Sequence, residues 1–273
     1  MTLFDTHAHY YDEKFGSDSE RREVIGKIRQ AGVKYVINAG TNPDSSRLSL
    51  ALADEYDGFY AAVGLHPEDI FDISDPEAAF SEIRELAASE KAVAVGEIGL
   101  DYHWHGEPSE REFQKYWFSR QLELACELGY PVVVHDRDAH GDCLETVMKF
   151  PKARGVFHSF SGSPETAREL IKLGWHISFS GVITFENARR TAQIVTEIPE
   201  DRLLIETDCP YLTPHPYRGR RNDSSYMLLT AEKAAELRGI SVERLCSVTL
   251  ENAARLFPRT GILPPSINEV IAS

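Results

Sequence analysis

Cysteine is scarce in this chain, and its few copies are scattered. The 273 residues include four cysteines, with no C-x-x-C pair among them. They are Cys126, Cys143, Cys209 and Cys246. This pattern is typical of reduced thiols in a cytosolic protein, and it argues against a cysteine-ligated metal site. We therefore expect a cytoplasmic location and metal ligands of other types.

Long hydrophobic runs are also missing. No stretch approaches the roughly 18 apolar residues that a membrane span requires. The N-terminus enters a polar strand pattern directly and has no basic segment followed by an apolar one, which a secretory signal would have. The sequence predicts no membrane partner, and no obligate protein partner is evident from it.

Positive charge is in short supply as well. The chain has 29 basic and 43 acidic residues, which gives a formal net charge of −14. This balance argues against a broad basic surface for gripping duplex nucleic acid, although it leaves room for a local anion site. Hydrophobic residues at 42% and charged residues at 26% are typical of a globular protein with a sizeable core.

Apolar strand patterns alternate with helical patterns along most of the chain. Near-continuous apolar stretches such as Val132–Val134 indicate strands buried on both faces, as in a parallel sheet covered by helices. The predicted strands are 3–9, 35–40, 60–66, 92–97, 131–135, 155–158, 176–180 and 203–208. The predicted helices are 20–31, 44–56, 76–88, 109–128, 141–150, 164–173, 188–198, 226–237 and 242–256.

Strict strand–helix alternation over eight units predicts an α/β fold, a (β/α)8 TIM-type barrel with C-terminal helices. About 250 residues is the usual size of such a barrel, so we assign residues 1–257 to a single TIM-type barrel domain. Residues 258–273 include Pro264-Pro265 and lack periodicity. We expect this tail to be loosely ordered or packed on the barrel. Ser109 followed by Glu112 predicts a capping box at the start of the 109–128 helix.

The first strand carries the sequence Leu3-Phe4-Asp5-Thr6-His7-Ala8-His9. Residues i and i+2 of a strand point to the same side, so His7 and His9 can share one metal ion. An isolated H-x-H is more often an ordinary pair of surface or core histidines. Here, however, metal-capable side chains recur at the ends of later strands. They are Glu97, His135, His158 and Asp208.

The carboxyl ends of all strands of a parallel barrel meet at one rim, where such enzymes carry their chemistry. Four imidazoles and two carboxylates gathered there make poor core packing, because unpaired buried polar groups are costly. They suit divalent metal ions instead.

These motifs together resemble the TatD family of metal-dependent hydrolases. The resemblance rests on H-x-H, Val95-Gly96-Glu97-Ile98-Gly99-Leu100-Asp101, Val134-His135, Phe157-His158-Ser159-Phe160-Ser161-Gly162 and Glu206-Thr207-Asp208-Cys209-Pro210, and it spans residues 3–257. It implies an amidohydrolase-type barrel, a binuclear metal site, and deoxyribonuclease or 3′-to-5′ exonuclease activity. The family's loop after strand eight commonly reads Arg-Asn-x-Pro, whereas this chain has Arg221-Asn222-Asp223-Ser224.

The resemblance also implies roles for the six residues. By the family pattern, His7 and His9 bind the first ion with Asp208, His135 and His158 bind the second, and Glu97 bridges them. Asp208 is also implied to be the proton acceptor. Nitrogen-rich ligands suit Zn, Fe, Ni or Mn better than Mg, although the family is often called magnesium-dependent, so the sequence leaves these five metals open.

Candidate substrate contacts are His66, Arg137, Glu206, Arg221 and Asn222. The guanidinium of Arg137 suits a phosphate, but a salt bridge to Asp136 or Asp138 is an equally good interpretation. Glu206 is as easily explained by a structural role. The loop around Arg221 could follow a nucleic-acid backbone. A solvated loop would have the same composition.

The sequence therefore predicts a metal-dependent phosphodiesterase that cleaves DNA, with single strands or 3′ ends as substrate. The main alternative is an amidohydrolase or lactonase acting on a small carbonyl substrate, since the same metal layout activates water for either centre. The locally basic loop and the bridging glutamate favour the phosphodiester. A non-catalytic binding barrel is disfavoured because it would not need all six ligands.

Overall fold

The computed structural model describes residues 1–263 of the chain. Eight strands form a single parallel sheet whose spatial order follows the sequence. The strands are β1 (Leu3–Ala8), β2 (Val33–Ala39), β3 (Phe59–Val63), β4 (Ala92–Asp101), β5 (Val132–Arg137), β6 (Gly155–Phe157), β7 (His176–Phe179) and β8 (Leu203–Ile205). The predicted (β/α)8 barrel is confirmed.

Helices follow the strands and cover the outside of the sheet. They are α1 (Asp18–Gln30), α2 (Pro43–Glu55), α3 (Pro76–Leu86), α4 (Pro108–Leu128), α5 (His140–Met148), α6 (Pro164–Lys172), α7 (Arg189–Glu197), α8 (Met227–Arg238) and α9 (Val242–Leu256). Gly129 ends α4 in the left-handed region at φ 68°, a conformation that costs glycine little.

The predicted start of α4 is wrong by one residue, and the predicted capping box is not the one that forms. The helix begins at Pro108, and the carboxylate of Glu110 accepts a hydrogen bond from the backbone N–H of Glu107 at 3.0 Å. Proline is well suited to the first helical position, because its φ is already helical and its missing N–H would have no partner there. The capping interaction therefore uses Glu107 and Glu110 instead of Ser109 and Glu112.

The barrel closes where β1 meets the segment that follows β8. The backbone N–H of Asp208 donates to the carbonyl of His7 at 2.9 Å, and that of His9 donates to the carbonyl of Cys209 at 2.7 Å. Ala8 and Cys209 accordingly form a parallel bridge. This closure brings the first candidate ligands beside the last one.

A buried carboxylate reinforces the closure. Asp5 in β1 accepts hydrogen bonds from the backbone N–H of Thr207 at 3.0 Å, the hydroxyl of Thr207 at 2.5 Å and the hydroxyl of Ser224 at 2.6 Å. Burial raises the pKa of Asp5 to about 6, although these hydrogen bonds oppose the shift. Asp5 thus ties the first strand to the chain beyond the last one.

Helix α9 closes the opposite, amino-terminal end of the barrel. Its residues Leu250, Ala253 and Leu256 belong to one apolar cluster with inward side chains of the strands, such as Phe4. The rings of Phe4 and Phe257 lie 6.4 Å apart. With this end filled by apolar side chains, the polar groups of the barrel lie at its carboxyl rim.

The first residues after α9 pack on the barrel. Pro258–Thr260 form one turn of 3-10 helix, the hydroxyl of Tyr60 donates to the carbonyl of Thr260 at 2.8 Å, and Arg259 donates to the carbonyl of Ala92 at 2.8 Å. The expectation for the rest of the tail, 264–273, lies outside the described residues. Among residues 1–263, no helix has both the length and the apolar character needed to cross a membrane.

Candidate metal centre

All six predicted ligands lie at the carboxyl rim of the barrel. His7 is in β1 and His9 follows it, Glu97 is in β4, His135 is in β5, and His158 follows β6 directly. Strand β8 is shorter than predicted and ends at Ile205, so Asp208 stands in the loop beyond it. Asp208 has a left-handed backbone, with φ 56°, which is uncommon for a residue other than glycine and is often found at functional sites.

One oxygen of Glu97 faces the first group of ligands. Its Oε2 lies 3.2 Å from Nε2 of His7. The Nε2 atoms of His7 and His9 are 3.0 Å apart. Nε2 of His9 is 3.2 Å from Oδ1 of Asp208. The first group thus consists of the residues that the family pattern implies for the first ion.

The other oxygen of Glu97 faces a second group. Its Oε1 lies 2.8 Å from Nδ1 of His135 and 2.9 Å from Nε2 of His158. Nε2 of His66 is 3.3 Å from the same oxygen. Glu97 is therefore in contact with both groups through different atoms.

The donor atoms fit divalent metal ions. Ligands about 2.1 Å from a tetrahedral metal ion are about 3.4 Å from one another, and the separations within the first group run from 3.0 to 3.7 Å. Three clusters of ligand atoms in the described residues could hold an ion: His7 with Glu97 and His158, His7 with His9 and Asp208, and His66 with Glu68 and His135.

The far side of three imidazoles is tied to an acceptor. Nδ1 of His9 lies 2.8 Å from the carbonyl of Ala39. Nε2 of His135 lies 3.0 Å from Oδ2 of Asp101. Nδ1 of His158 lies 3.2 Å from Oε1 of Glu206. When the tied nitrogen carries the proton, the other nitrogen presents its lone pair toward the rim, which is the arrangement typical of metal-binding histidines.

Asp101 and Glu68 are site residues that the sequence reasoning missed. Asp101 is fully buried and lies four residues after Glu97, at the end of the same strand. Residues separated by an even number share a face of a strand, so this spacing was a usable signal. Glu68 lies in the loop after β3 beside His66, and its backbone N–H donates to Nδ1 of His66 at 3.2 Å.

Electrostatics keep both ligand carboxylates ionised. Burial by itself raises the pKa of Glu97, but the nearby histidines, His158 and His7 foremost, outweigh it and leave that pKa well below its usual value. Burial also acts to raise the pKa of Asp208, but the hydrogen bond from His9 and the nearby histidine charges lower it. The rim thus offers negative oxygen ligands at neutral pH.

The histidines respond in different ways to the same surroundings. Burial lowers the pKa of His7, and the charge of His158 adds to that effect. Burial also acts to lower the pKa of His158, but Glu97 and Glu206 raise it well above its ordinary value. The carboxylates therefore outweigh the effect of burial at His158 but not at His7.

A cavity of about 760 Å³ opens over the ligands, and we call it the mouth. Among its lining residues are His66, Glu97, Arg137, Asp208 and Tyr211. Arg137 has no carboxylate within 4.0 Å in residues 1–263, so the salt bridge considered from the sequence is not formed. Its guanidinium lies 5.6 Å from the ring centre of Trp104. Arg137 is therefore available at the mouth, whereas the ring nitrogens of His66 already contact Glu97 and the backbone N–H of Glu68.

The other three candidate substrate contacts lie elsewhere. Glu206 is fully buried behind His158. Asn222 is also fully buried, and its amide donates to the carbonyls of Thr207 and Tyr211 at 2.9 and 2.6 Å, because the loop folds back over β8. Arg221 points outward and donates to the carbonyl of Lys14 at 2.9 Å. The geometry gives Glu206 and Asn222 supporting positions instead of exposed ones.

Replacing Glu206 with glutamine tests its support of His158. Glu206 Oε1 also accepts the backbone N–H of Ser159 at 2.7 Å. Glutamine keeps an oxygen acceptor for both neighbours but removes the negative charge that strengthens these hydrogen bonds. We expect Glu206→Gln to weaken metal affinity by about 10- to 100-fold, the usual cost of losing such a partner. A calorimetric titration with metal measures this affinity. An affinity equal to that of the unmodified protein would contradict the supporting role.

A (β/α)8 barrel with this histidine and carboxylate cluster at its carboxyl rim has the architecture of metal-dependent hydrolases. The family described as TatD related DNase matches residues 4–258, and the chain belongs to this family of metal-dependent hydrolases.

Relatives match over nearly their whole length. The uncharacterized metal-dependent hydrolase YabD of Bacillus subtilis is 45% identical over 258 residues, covering 93% of this chain and 98% of the relative. The 3'-5' ssDNA/RNA exonuclease TatD of Cronobacter sakazakii is 35% identical, covering 93% of this chain and 97% of the relative. The crystal structure of YjjV, a TatD homologue from Escherichia coli, superposes with a TM-score of 0.87 at 30% identity, covering 94% of this chain and 98% of that one.

Proposed function

We propose that this protein is a binuclear metal-dependent phosphodiesterase that cleaves single-stranded DNA from 3′ ends. The observation that carries the proposal is the division of the ligands between the two oxygens of Glu97, which touch separate groups 3.2 Å and 2.8 Å away. His7, His9 and Asp208 would hold one ion, and His135 and His158 the other. Zn, Mn, Mg, Ni and Fe are the candidate metals.

Two divalent ions, when bound, polarise a phosphoryl oxygen and acidify a water molecule. The chain's own part begins with Asp208, whose lowered pKa keeps it ionised and ready to accept the proton of the attacking water. Arg137 lines the mouth free of carboxylate partners, where its guanidinium can orient a phosphate through paired hydrogen bonds. In this proposal Asp208 accepts the proton and Arg137 positions the phosphate.

The choice of a nucleic-acid substrate has two supports. A relative 35% identical to this chain is named a 3'-5' ssDNA/RNA exonuclease. Trp104 is 61% exposed beside Arg137, and exposed aromatic rings next to cations suit the stacking of unpaired bases. A cytoplasmic location, expected from the sequence, is part of the same proposal.

A substrate panel tests the proposal. Single-stranded DNA, duplex DNA, RNA, lactones and dipeptides are assayed with each candidate metal. We expect single-stranded DNA to be cleaved, chelator to abolish cleavage and added metal to restore it, because the proposed reaction depends on bound divalent ions. Hydrolysis of a lactone or an amide without cleavage of any phosphodiester would favour the small-carbonyl alternative instead.

A further inference from the structure

A second cleft lies beside the mouth on the segment that follows β8. We call it the basic cleft, because its lining includes the cationic side chains of Lys14, Arg218, Arg220 and Arg221, together with Tyr211. Its volume is about 450 Å³. Such a concentration of cations stands out in a chain with a net charge of −14.

The four cations are not neutralised by ion pairs. Within residues 1–263, none of them has a carboxylate within 4.0 Å. Their neighbours are aromatic rings or carbonyl oxygens: the ammonium of Lys14 lies 4.0 Å from the ring centre of Tyr211, and the guanidinium of Arg218 lies 4.0 Å from that of Phe185. Their charge is therefore available to an anion.

The basic cleft adjoins the mouth. Tyr211 and Leu212 line both cavities. The ring of Tyr211 lies 6.2 Å from that of His9, a candidate metal ligand, and its backbone N–H donates to the carbonyl of Asp208 at 2.9 Å. The hydroxyl of Tyr211 donates to Asp12 at 2.7 Å, which fixes the ring between the cavities. A nucleic-acid strand that leaves the mouth past Tyr211 would therefore reach the basic cleft.

We propose that the basic cleft binds the phosphodiester backbone of the single strand next to the scissile phosphate, with Lys14 and the three arginines contacting successive phosphates. The proposal rests on the proposed nuclease function and adds the path of the substrate. Cations spaced along a groove with an exposed aromatic ring are the usual means of holding single strands without reading their sequence. Tyr211, 42% exposed, supplies the ring.

The double variant Lys14→Gln/Arg220→Gln tests the path. The matched control is Lys152→Gln/Arg255→Gln, which removes the same charge from an exposed pair at the amino-terminal end of the barrel. Binding of fluorescent, phosphorothioate-linked dT12, which resists cleavage, is followed by anisotropy from 50 to 200 mM salt. Two lost phosphate contacts make the slope of log affinity against log salt shallower by about 1.4, so we expect the unmodified protein to lose about sevenfold more affinity over this range than the test variant. The control should keep the original slope.

Cleavage provides a second readout. We expect kcat/KM for dT12 to fall about tenfold in the test variant, a loss of two contacts of moderate strength, while kcat/KM for the dinucleotide dTdT stays within about twofold, since its single phosphate occupies the mouth. Arg218→Gln removes one cation and leaves the ring of Phe185 in place, so it should give half the change in slope. Unchanged slopes in both variants, or an equal change in the control, would overturn the proposed path. Failure of the unmodified protein to cut any oligonucleotide, with the difference in slope intact, would overturn the nuclease proposal while supporting the cleft.

Discussion

Asp208→Asn should reduce turnover by about 10²- to 10⁴-fold, the range expected when a general base is lost. Asparagine keeps the shape and one oxygen of the side chain but has almost no basicity. Metal content should fall much less, because His7, His9 and Glu97 would still supply ligands to the proposed first ion. Turnover on single-stranded DNA, measured with metal-replete protein, together with elemental analysis of the metal, separates the two effects.

The matched control for this variant is Asp138→Asn. Asp138 has the same left-handed backbone as Asp208, with φ 55° against 56°. Its carboxylate, however, is exposed and lies 3.2 Å from the ring of His103. Its substitution should leave turnover within about twofold, since an exposed pair contributes little. Turnover of Asp208→Asn within a few-fold of the unmodified protein, with its metal retained, would show that Asp208 is not the base.

Glu97→Gln should have the broadest effect, because Glu97 is the one carboxylate in contact with both ligand groups in the described structure. Glutamine removes the negative charge and one of the two ligand oxygens. The proposed centre would hold two ions per chain, and we expect Glu97→Gln to retain fewer than one. Turnover should fall by about 10³-fold or more, since metal assistance is worth several kcal/mol at the transition state.

Stability provides a readout of Glu97→Gln that does not depend on activity. Metal at about 100 times its Kd stabilises a folded protein by about 2.7 kcal/mol, which corresponds to a rise in Tm of about 5 °C or more for a chain of this size. We expect this metal-dependent rise in the unmodified protein and in Glu85→Gln, an exposed control on α3. Glu97→Gln should lose it. A full rise in Tm for Glu97→Gln would mean that the ions bind elsewhere.

The barrel and the position of its rim could be predicted because both follow from local pattern. Each apolar stretch marks a strand, and the residue at its carboxyl end is carried to the rim by the parallel topology. The strand pattern alone was enough to predict that His135 and His158 lie at the rim. Asp208 also lies at the rim, although β8 stops at Ile205, because the chain after the strand continues in the same direction.

The residues behind the ligands depend on features that the sequence does not specify. The contact of Asp101 with His135 requires the register that pairs Gly99 with His135 and Asp101 with Arg137. The inward turn of Asn222 depends on how the loop after β8 folds over the strand. Pattern analysis assigns residues to elements, but it does not give the register of neighbouring strands or the course of a loop.

The contact of Asp5 with Thr207 joins residues 202 positions apart. The first ligand group is divided in the same way, since His7 and His9 come from β1 and Asp208 from beyond β8. During synthesis, a nascent chain that has not reached Thr207 lacks both the partner for Asp5 and the third ligand of this group. Metal can therefore bind this group with full affinity only after the ends of the sheet have joined. Metal uptake would then report that the barrel is complete.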